Sequence, residues 1–313
     1  MLTPRPVPLL PVRPPYPPVR HRQYSRAMTI AIGLLATDGI VVAADTSLST
    51  PHFKIGHGKV ACGISAIANE PDRTPSTIAV TGAGIPFGYI EHLQREIIDG
   101  RWAREANLKE YTERIIKDFY TDHVVPFAAY GNDRPGVAMI VASYPRTLLT
   151  TDYNAVTQCH DCAVVGAGEM YARALLNKLY FPVMDARSMV VLALYVIYMV
   201  KEIIEECGKD TTVWCLQADG LMTIPHANSA KVEALFAQHS TVEARILHHL
   251  FSNRLDSPDD SWQTVMDDIE GIRKECLNLV ELKSASPLNR RRSKAGPSPP
   301  PPLPELPGET DES

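Results

Sequence analysis

Long apolar runs are missing from this 313-residue chain: none approaches the roughly eighteen apolar residues that a membrane-spanning helix needs. The longest candidate, Met189 to Val200, reads instead as a buried helix. Cysteine is sparse as well. Six cysteines in a core of this size set up no disulfide framework. Cys159-His160-Asp161-Cys162 is a lone CxxC without a second pair, which favours a reduced structural pair at the start of a strand over zinc or redox chemistry. His52 and His57 sit five apart on a loop and read as solvated side chains, so neither a metal nor a cofactor is expected. The charge balance is mild, with a net charge of -5 and a pI near 6.1, and gives no reason to expect nucleic acid as a partner. A secretory core is absent too, because Val7–Val12 is short and broken by prolines. The prolines of the leader oppose the amphipathic helix of a transit peptide, and a cytoplasmic, non-membrane protein is expected.

Composition then divides the chain. Residues 1–27 hold eight prolines, five arginines and no acid. Residues 284–313 pass through Asn289-Arg-Arg-Arg-Ser-Lys294 and Pro299–Pro302 to an acidic end. Neither stretch carries enough apolar surface to offset the entropy of ordering, so 1–28 reads as a disordered leader and 284–313 as a disordered tail. Between them, 29–250 suits one domain and 251–283 a helical extension.

Within that domain, Thr29-Ile-Ala-Ile-Gly-Leu-Leu-Ala-Thr-Asp38-Gly39-Ile-Val-Val-Ala-Ala-Asp45 reads as two apolar strands joined at Asp38-Gly39, a strong hairpin signal. Strands follow from Lys59 and over Ser76–Thr81, separated by the turn-rich Asn69–Pro75. Gly82-Ala-Gly84 is expected to break the strand and lead into a helix over Ile85–Ile98, with a second helix over Leu108–Tyr120. Gly136–Ser143 and Thr147–Asp152 read as a hairpin around Tyr144-Pro-Arg, and Cys162–Val165 as another strand ending at Gly166-Ala-Gly168. Helices are expected over Glu169–Leu179 and Ser188–Glu206, with Gly208 as the cap of the second. Thr211–Leu216 and a partner after Asp219-Gly220 complete the strands, and Arg245–Phe251 and Trp262–Leu279 read as peripheral helices. This order fits two sheets packed face to face, with helix pairs on both outer faces.

The Thr29 strand, the Asp38-Gly39 turn and Ala44-Asp45 resemble the start of proteasome β subunits and of HslV-type peptidases. Gly33, Asp38, Gly39 and Asp45 fall where those families place small, turn and acidic residues after a mature terminal threonine. Thr81-Gly-Ala-Gly resembles their oxyanion-hole segment, and Val165-Gly-Ala-Gly and Asp210-Thr-Thr-Val resemble their second half. The resemblance spans roughly 29–224. It implies an α+β, four-layer αββα sandwich of the Ntn-hydrolase type and a threonine peptidase. In that family's terms Thr29 is the nucleophile, Asp45 and Lys59 its acid and lysine (with Lys54 the alternative lysine), and Gly82 the oxyanion donor. The chemistry is sound on its own ground: a terminal threonine joins a hydroxyl nucleophile and an amine base in one residue. An ammonium beside it favours the deprotonated hydroxyl.

Two departures stand out. Gly166-Ala167-Gly168 lacks a hydroxyl that the family often carries, leaving Gly168 as a supporting backbone position. Glu205 and Cys207 stand where an acid and a serine are usual. The chemistry also requires Thr29 to be an N-terminus, reached by translation from Met28 with methionine removal or by cleavage of a propeptide. The resemblance further implies a peptide or unfolded-protein substrate and a self-compartmentalised homo-oligomer, and makes an ATP-dependent unfoldase a candidate partner. The rival expectation is a catalytically inactive structural or binding subunit of the same fold.

Overall fold

The computed structural model describes residues 29–49, 54–56, 58–65, 76–85, 87–99, 107–127, 136–152, 155–205, 207–251, 262–280 and 283–284. The leader at 1–28, His52, His57, the loop 69–75, Glu206 and residues 285–313 lie outside this set.

Strands β1 (Ile30–Leu35) and β2 (Gly39–Asp45) are β-branched and alanine-rich runs, buried at every position, as strands covered on both faces must be. They join a short side hairpin of β3 (Ser47–Ser49) and β4 (Lys54–Gly56), then β5 (Ala61–Ser65) and β6 (Ser76–Ile85). Helices α1 (Phe87–Asp99) and α2 (Leu108–Phe119) follow, then β7 (Gly136–Ser143), β8 (Thr147–Asp152), β9 (Ala155–Gln158) and β10 (Cys162–Gly166). The second half runs α3 (Glu169–Leu179), α4 (Ala186–Ile203), β11 (Thr211–Gln217), β12 (Gly220–Thr223), α5 (His226–Phe251), α6 (Trp262–Leu279) and β13 (Lys283–Ser284).

The strands form two antiparallel sheets, ordered β10-β1-β2-β11-β12-β13 and β5-β6-β7-β8-β9. Strand alternation sorts the side chains into layers. Ile30, Ile32, Val41 and Ala43 pack against Met189, Ala193, Ile197 and Val200 of α4. Ile78, Val80 and Val141 pack against Leu93, Ile97, Ile116 and Phe119 of α1 and α2. Ala31, Val42 and Ala44 meet Ala79, Ala83, Ile140 and Leu148 between the sheets. The small residues let the sheets approach closely: a Cβ at Gly33 would lie 2.7 Å from Leu148 Cδ1. The αββα architecture is therefore the one expected.

Several boundaries differ from the sequence reading. Gly82 and Gly84 do not end β6, which pairs with β7 through Ile85↔Gly136, so α1 begins at Phe87. Pairing along an eight-residue neighbour outweighs the weak strand preference of two glycines. Helix α4 stops at Ile203, where Ile204 turns extended, and Gly208 is not its cap. Helix α5 begins at His226 rather than Arg245, carrying Val232, Leu235 and Phe236 onto the α4 side of the core. The brief strands β3, β4 and β9 have too few residues to show a period.

The β1–β2 hairpin is present, with Ala36 N–H donating to Gly39 O at 2.9 Å, so Thr37 and Asp38 are its two loop residues. Gly39 is the first strand residue, where a Cβ would lie 2.6 Å from Leu216 O. Asp38 locks the hairpin to the second half of the chain: its Oδ1 accepts Ala186 N–H at 2.7 Å at the start of α4, and its Oδ2 accepts Gln217 Nε2–H at 2.8 Å. Asp38→Ala removes both bonds and leaves a helix N-terminal donor unmet. It is expected to destabilise by about 1–2 kcal/mol, read as a fall in Tm of roughly 2–8 °C. An unchanged Tm would show that these bonds contribute no net stability.

Candidate active site

Thr29 precedes β1 and is 3% exposed. Its carbonyl accepts Ala167 N–H at 2.8 Å, and the next peptide N–H, at Ile30, donates to Asp45 Oδ1 at 3.1 Å. The residue is thus fastened on two sides. Gly166 makes the first contact possible. It sits at φ +114°, open to glycine, and a Cβ there would lie 1.9 Å from Thr29 O.

Asp45 ends β2 and Lys59 stands two residues before β5; both are fully buried. Lys59 Nζ donates to Asp45 Oδ1 at 2.8 Å and also to Thr29 Oγ1. Gly208 N–H donates to Asp45 Oδ2 at 3.1 Å. The carboxylate therefore accepts from an ammonium and two backbone amides, the satisfaction a buried charge requires. Burial pushes the Asp45 carboxyl pKa up, against the opposing pull of the Lys59 charge and the three donors. Burial likewise pushes the Lys59 pKa below its ordinary value, against the pull of Asp45 and a smaller one from Cys207, with Lys201 adding to the depression. An ammonium of lowered pKa at a hydroxyl is suited to exchanging a proton with it.

Gly82 lies within β6. Opposite it, Met139 directs its N–H to Thr151 Oγ1 at 2.9 Å, on the β8 side. In an antiparallel ladder the residue facing such a position points its own N–H away, so Gly82 N–H is directed to the β5 edge of β6. Among the described residues no strand pairs with that edge at this point, because the β5 register ends at Ala61↔Val80.

The expected residues thus fall into two groups. Thr29, Asp45 and Lys59 are joined directly, Lys59 Nζ making the contact, while Lys54 pairs opposite Ser49 in the side hairpin. Gly168 is a packing position at the start of α3, where a Cβ would lie 2.2 Å from Val200 Cγ1. Glu205 is exposed on the turn after α4, while Cys207 is buried close enough to influence Lys59.

Sequence reasoning missed the groups that hold the 207–210 loop in place. Lys201 Nζ donates to Lys209 O at 2.6 Å, Thr211 Oγ1 at 2.7 Å and Glu233 Oε1 at 2.8 Å. Thr211 Oγ1 donates in turn to Glu233 Oε1 at 2.5 Å. Thr46 N–H donates to Asp210 O at 2.8 Å. This cluster seats the loop whose Gly208 N–H reaches Asp45. A lysine near the end of one helix and a glutamate thirty-two residues later carry no local pattern that would pair them. Among the described residues there is no His/Cys/Asp/Glu cluster able to hold a metal, and no helix is long and apolar enough to cross a membrane.

The two antiparallel sheets packed face to face, with helices on both outer faces, make a proteasome-like fold. The proteasome-subunit family model matches residues 101–214, a stretch that contains α2 to the middle of β11 and leaves out Thr29, Asp45, Lys59 and Gly82. Among solved structures, Anbu (ancestral beta-subunit) from Yersinia bercovieri is 12% identical and matches with a TM-score of 0.55, covering 73% of this chain and 100% of that one. The helical assembly of the Anbu complex from Pseudomonas aeruginosa gives 13% identity and a TM-score of 0.53, covering 72% and 99%. At these identities the structures show the fold. A comparison with curated proteins finds no match. The family match and the shared fold bear out the resemblance to the proteasome β-subunit and HslV-type family.

Lys59→Met leaves the Asp45 carboxylate buried without its counter-charge and is expected to cost about 3–5 kcal/mol. Its pH signature is specific. The folded pKa of Lys59 lies below the unfolded value of about 10.4. Between the two values the unfolded chain binds the extra proton, so this group adds stability as pH rises. In denaturant unfolding, the stability difference between parent and Lys59→Met should widen from neutral pH toward pH ~10. A difference that is flat or narrows contradicts a depressed Lys59.

Proposed function

We propose that this chain is an N-terminal threonine peptidase, active once Thr29 is the first residue. The observation that carries the reading is Lys59 Nζ held between Asp45 Oδ1 and Thr29 Oγ1 in a buried site. Thr29 Oγ attacks the scissile carbonyl while its proton passes to the α-amine, whose reference pKa of about 8 suits a base near neutral pH. Lys59 favours the developing alkoxide, and Asp45 holds Lys59 in place. The carbonyl oxygen becomes an oxyanion and is received by Gly82 N–H. The C–N bond then breaks, the leaving amine takes the proton, and an ester on Thr29 remains. Water attacks that ester to release the acid and restore the hydroxyl.

The substrates on this reading are peptides or unfolded proteins, reached within a cytoplasmic homo-oligomer, with an ATP-dependent unfoldase as a candidate partner. The assembly is supported by analogy with the helical assembly formed by the Anbu complex. The Ala167 methyl where the family often has a hydroxyl, and the exposed Glu205, favour a second reading: an inactive subunit of the same fold.

Hydrolysis of fluorogenic peptides by protein beginning at Thr29, compared with Thr29→Ala, separates the two. The peptidase reading expects a loss of roughly a thousandfold or more in kcat/KM. Equal rates would overturn it. Intact mass of the protein from its native cell supplies the second check: a first residue of Thr29 is expected, and an N-terminus ahead of residue 28 contradicts activity in that form.

A further inference from the structure

Among the described buried polar side chains that this machinery leaves unused, one bonds to the backbone of Lys59 itself. Gln94, on α1, is 5% exposed and lies on the helix whose Ile90, Leu93 and Ile97 pack against the second sheet. Its Nε2 donates to Lys59 O at 2.7 Å and to Val80 O at 3.0 Å. Both partners are carbonyls, which can only accept, so the amide orientation is fixed by its surroundings. A glutamine buried this deeply costs stability unless its donors are met.

The place where it binds matters more than the bonds themselves. β5 and β6 are in register up to Ala61↔Val80. Continuing that register by two residues would set Lys59 opposite Gly82. Gly82 directs its N–H to this edge, as argued above, so a continued ladder would pair Lys59 O with Gly82 N–H. Instead the Lys59 carbonyl is bonded to Gln94, and the two strands part at Val80. We propose that Gln94 is a positioning residue that holds this fork open. It fixes the backbone that carries Lys59 toward Thr29, and it leaves Gly82 N–H available to an oxyanion. The inference rests on the peptidase reading for its consequence in catalysis, while its structural half stands on the fork itself.

Two variants of the full chain, each also prepared beginning at Thr29, test it. Gln94→Leu is close in size and cannot donate, so the ladder closes and Gly82 N–H becomes bonded to Lys59 O. The kcat for a fluorogenic peptide is expected to fall at least about tenfold, with KM little changed. Gln94→Glu sets a carboxylate against two carbonyl oxygens at neutral pH, whereas its protonated form restores one donor. The kcat ratio of Gln94→Glu to Gln94→Leu therefore rises as pH falls. A role confined to docking α1 would change Tm but would leave that ratio constant, and a constant ratio overturns the proposal, as does parental kcat in both variants.

Amide hydrogen exchange resolved at Gly82 is the measurement that needs no turnover. The expected result is faster exchange in the parent than in Gln94→Leu, and equal or slower exchange in the parent overturns the proposal. If the parent shows no Thr29-dependent hydrolysis, the peptidase reading falls while the exchange result still decides the fork. If Gln94→Leu fails to fold, the protection factor at Gly82 in Gln94→Glu decides the same point, since it removes the intrinsic pH dependence of amide exchange. It is expected to fall as the carboxyl protonates and the donor returns, and a constant or rising protection factor overturns the proposal.

Discussion

The buried Lys59–Asp45 ion pair is the constraint on which the rest of the arrangement depends. Removing two charges from water is costly, and their attraction offsets the cost only when the remaining hydrogen-bonding capacity is met. Here it is met from three separate parts of the chain. Ile30 N–H comes from the head of β1, Gly208 N–H from the loop between α4 and β11, and the ammonium from the segment ahead of β5. Satisfying one carboxylate therefore fixes where three segments meet. Thr29 stands at that junction, held through its own carbonyl by Ala167.

The same requirement explains features that lie far from the threonine. The 207–210 loop that supplies Gly208 is fastened by Lys201, Thr211 and Glu233, and Glu233 belongs to α5, beyond the stretch matched by the family model. Gln94 plays the corresponding part on the opposite side, where β5 parts from β6. Small residues between the sheets, Ala31, Ala44, Ala79 and Ala83 among them, let the two layers come close enough for Lys59 to reach across.

Much of this was legible in the sequence, and the failures have physical causes. The apolar runs of β1, β2 and β11 and the Tyr144-Pro145 hairpin carry strong local signals, so these elements stand where they were expected. Thr29, Asp45 and Lys59 stand out through the resemblance to proteasome β subunits, with Lys54 the alternative lysine, and the structure joins Thr29, Asp45 and Lys59. The Asp38-Gly39 signal led to the right hairpin for a different reason: Thr37 and Asp38 form the loop, and Gly39 answers to the close approach of Leu216 O. Gly82 has the local character of a strand breaker, whereas the ladder with β7 carries the strand through it. Gln94, Lys201 and Glu233 left no trace because their roles depend on partners distant in sequence. Gly166, by contrast, was visible as a strand-end glycine, but its contact with Thr29 appears only in three dimensions.

The central claim is that one residue, Thr29, presents both an activated hydroxyl and the amine beside it. A peptide epoxyketone tests this most directly, since its two electrophilic carbons require a hydroxyl and an amine on the same terminal residue. After incubation with the protein beginning at Thr29, peptide mapping by mass spectrometry should place a single adduct on residue 29. No adduct, or one located on a cysteine or lysine with residue 29 unmodified, would contradict the account.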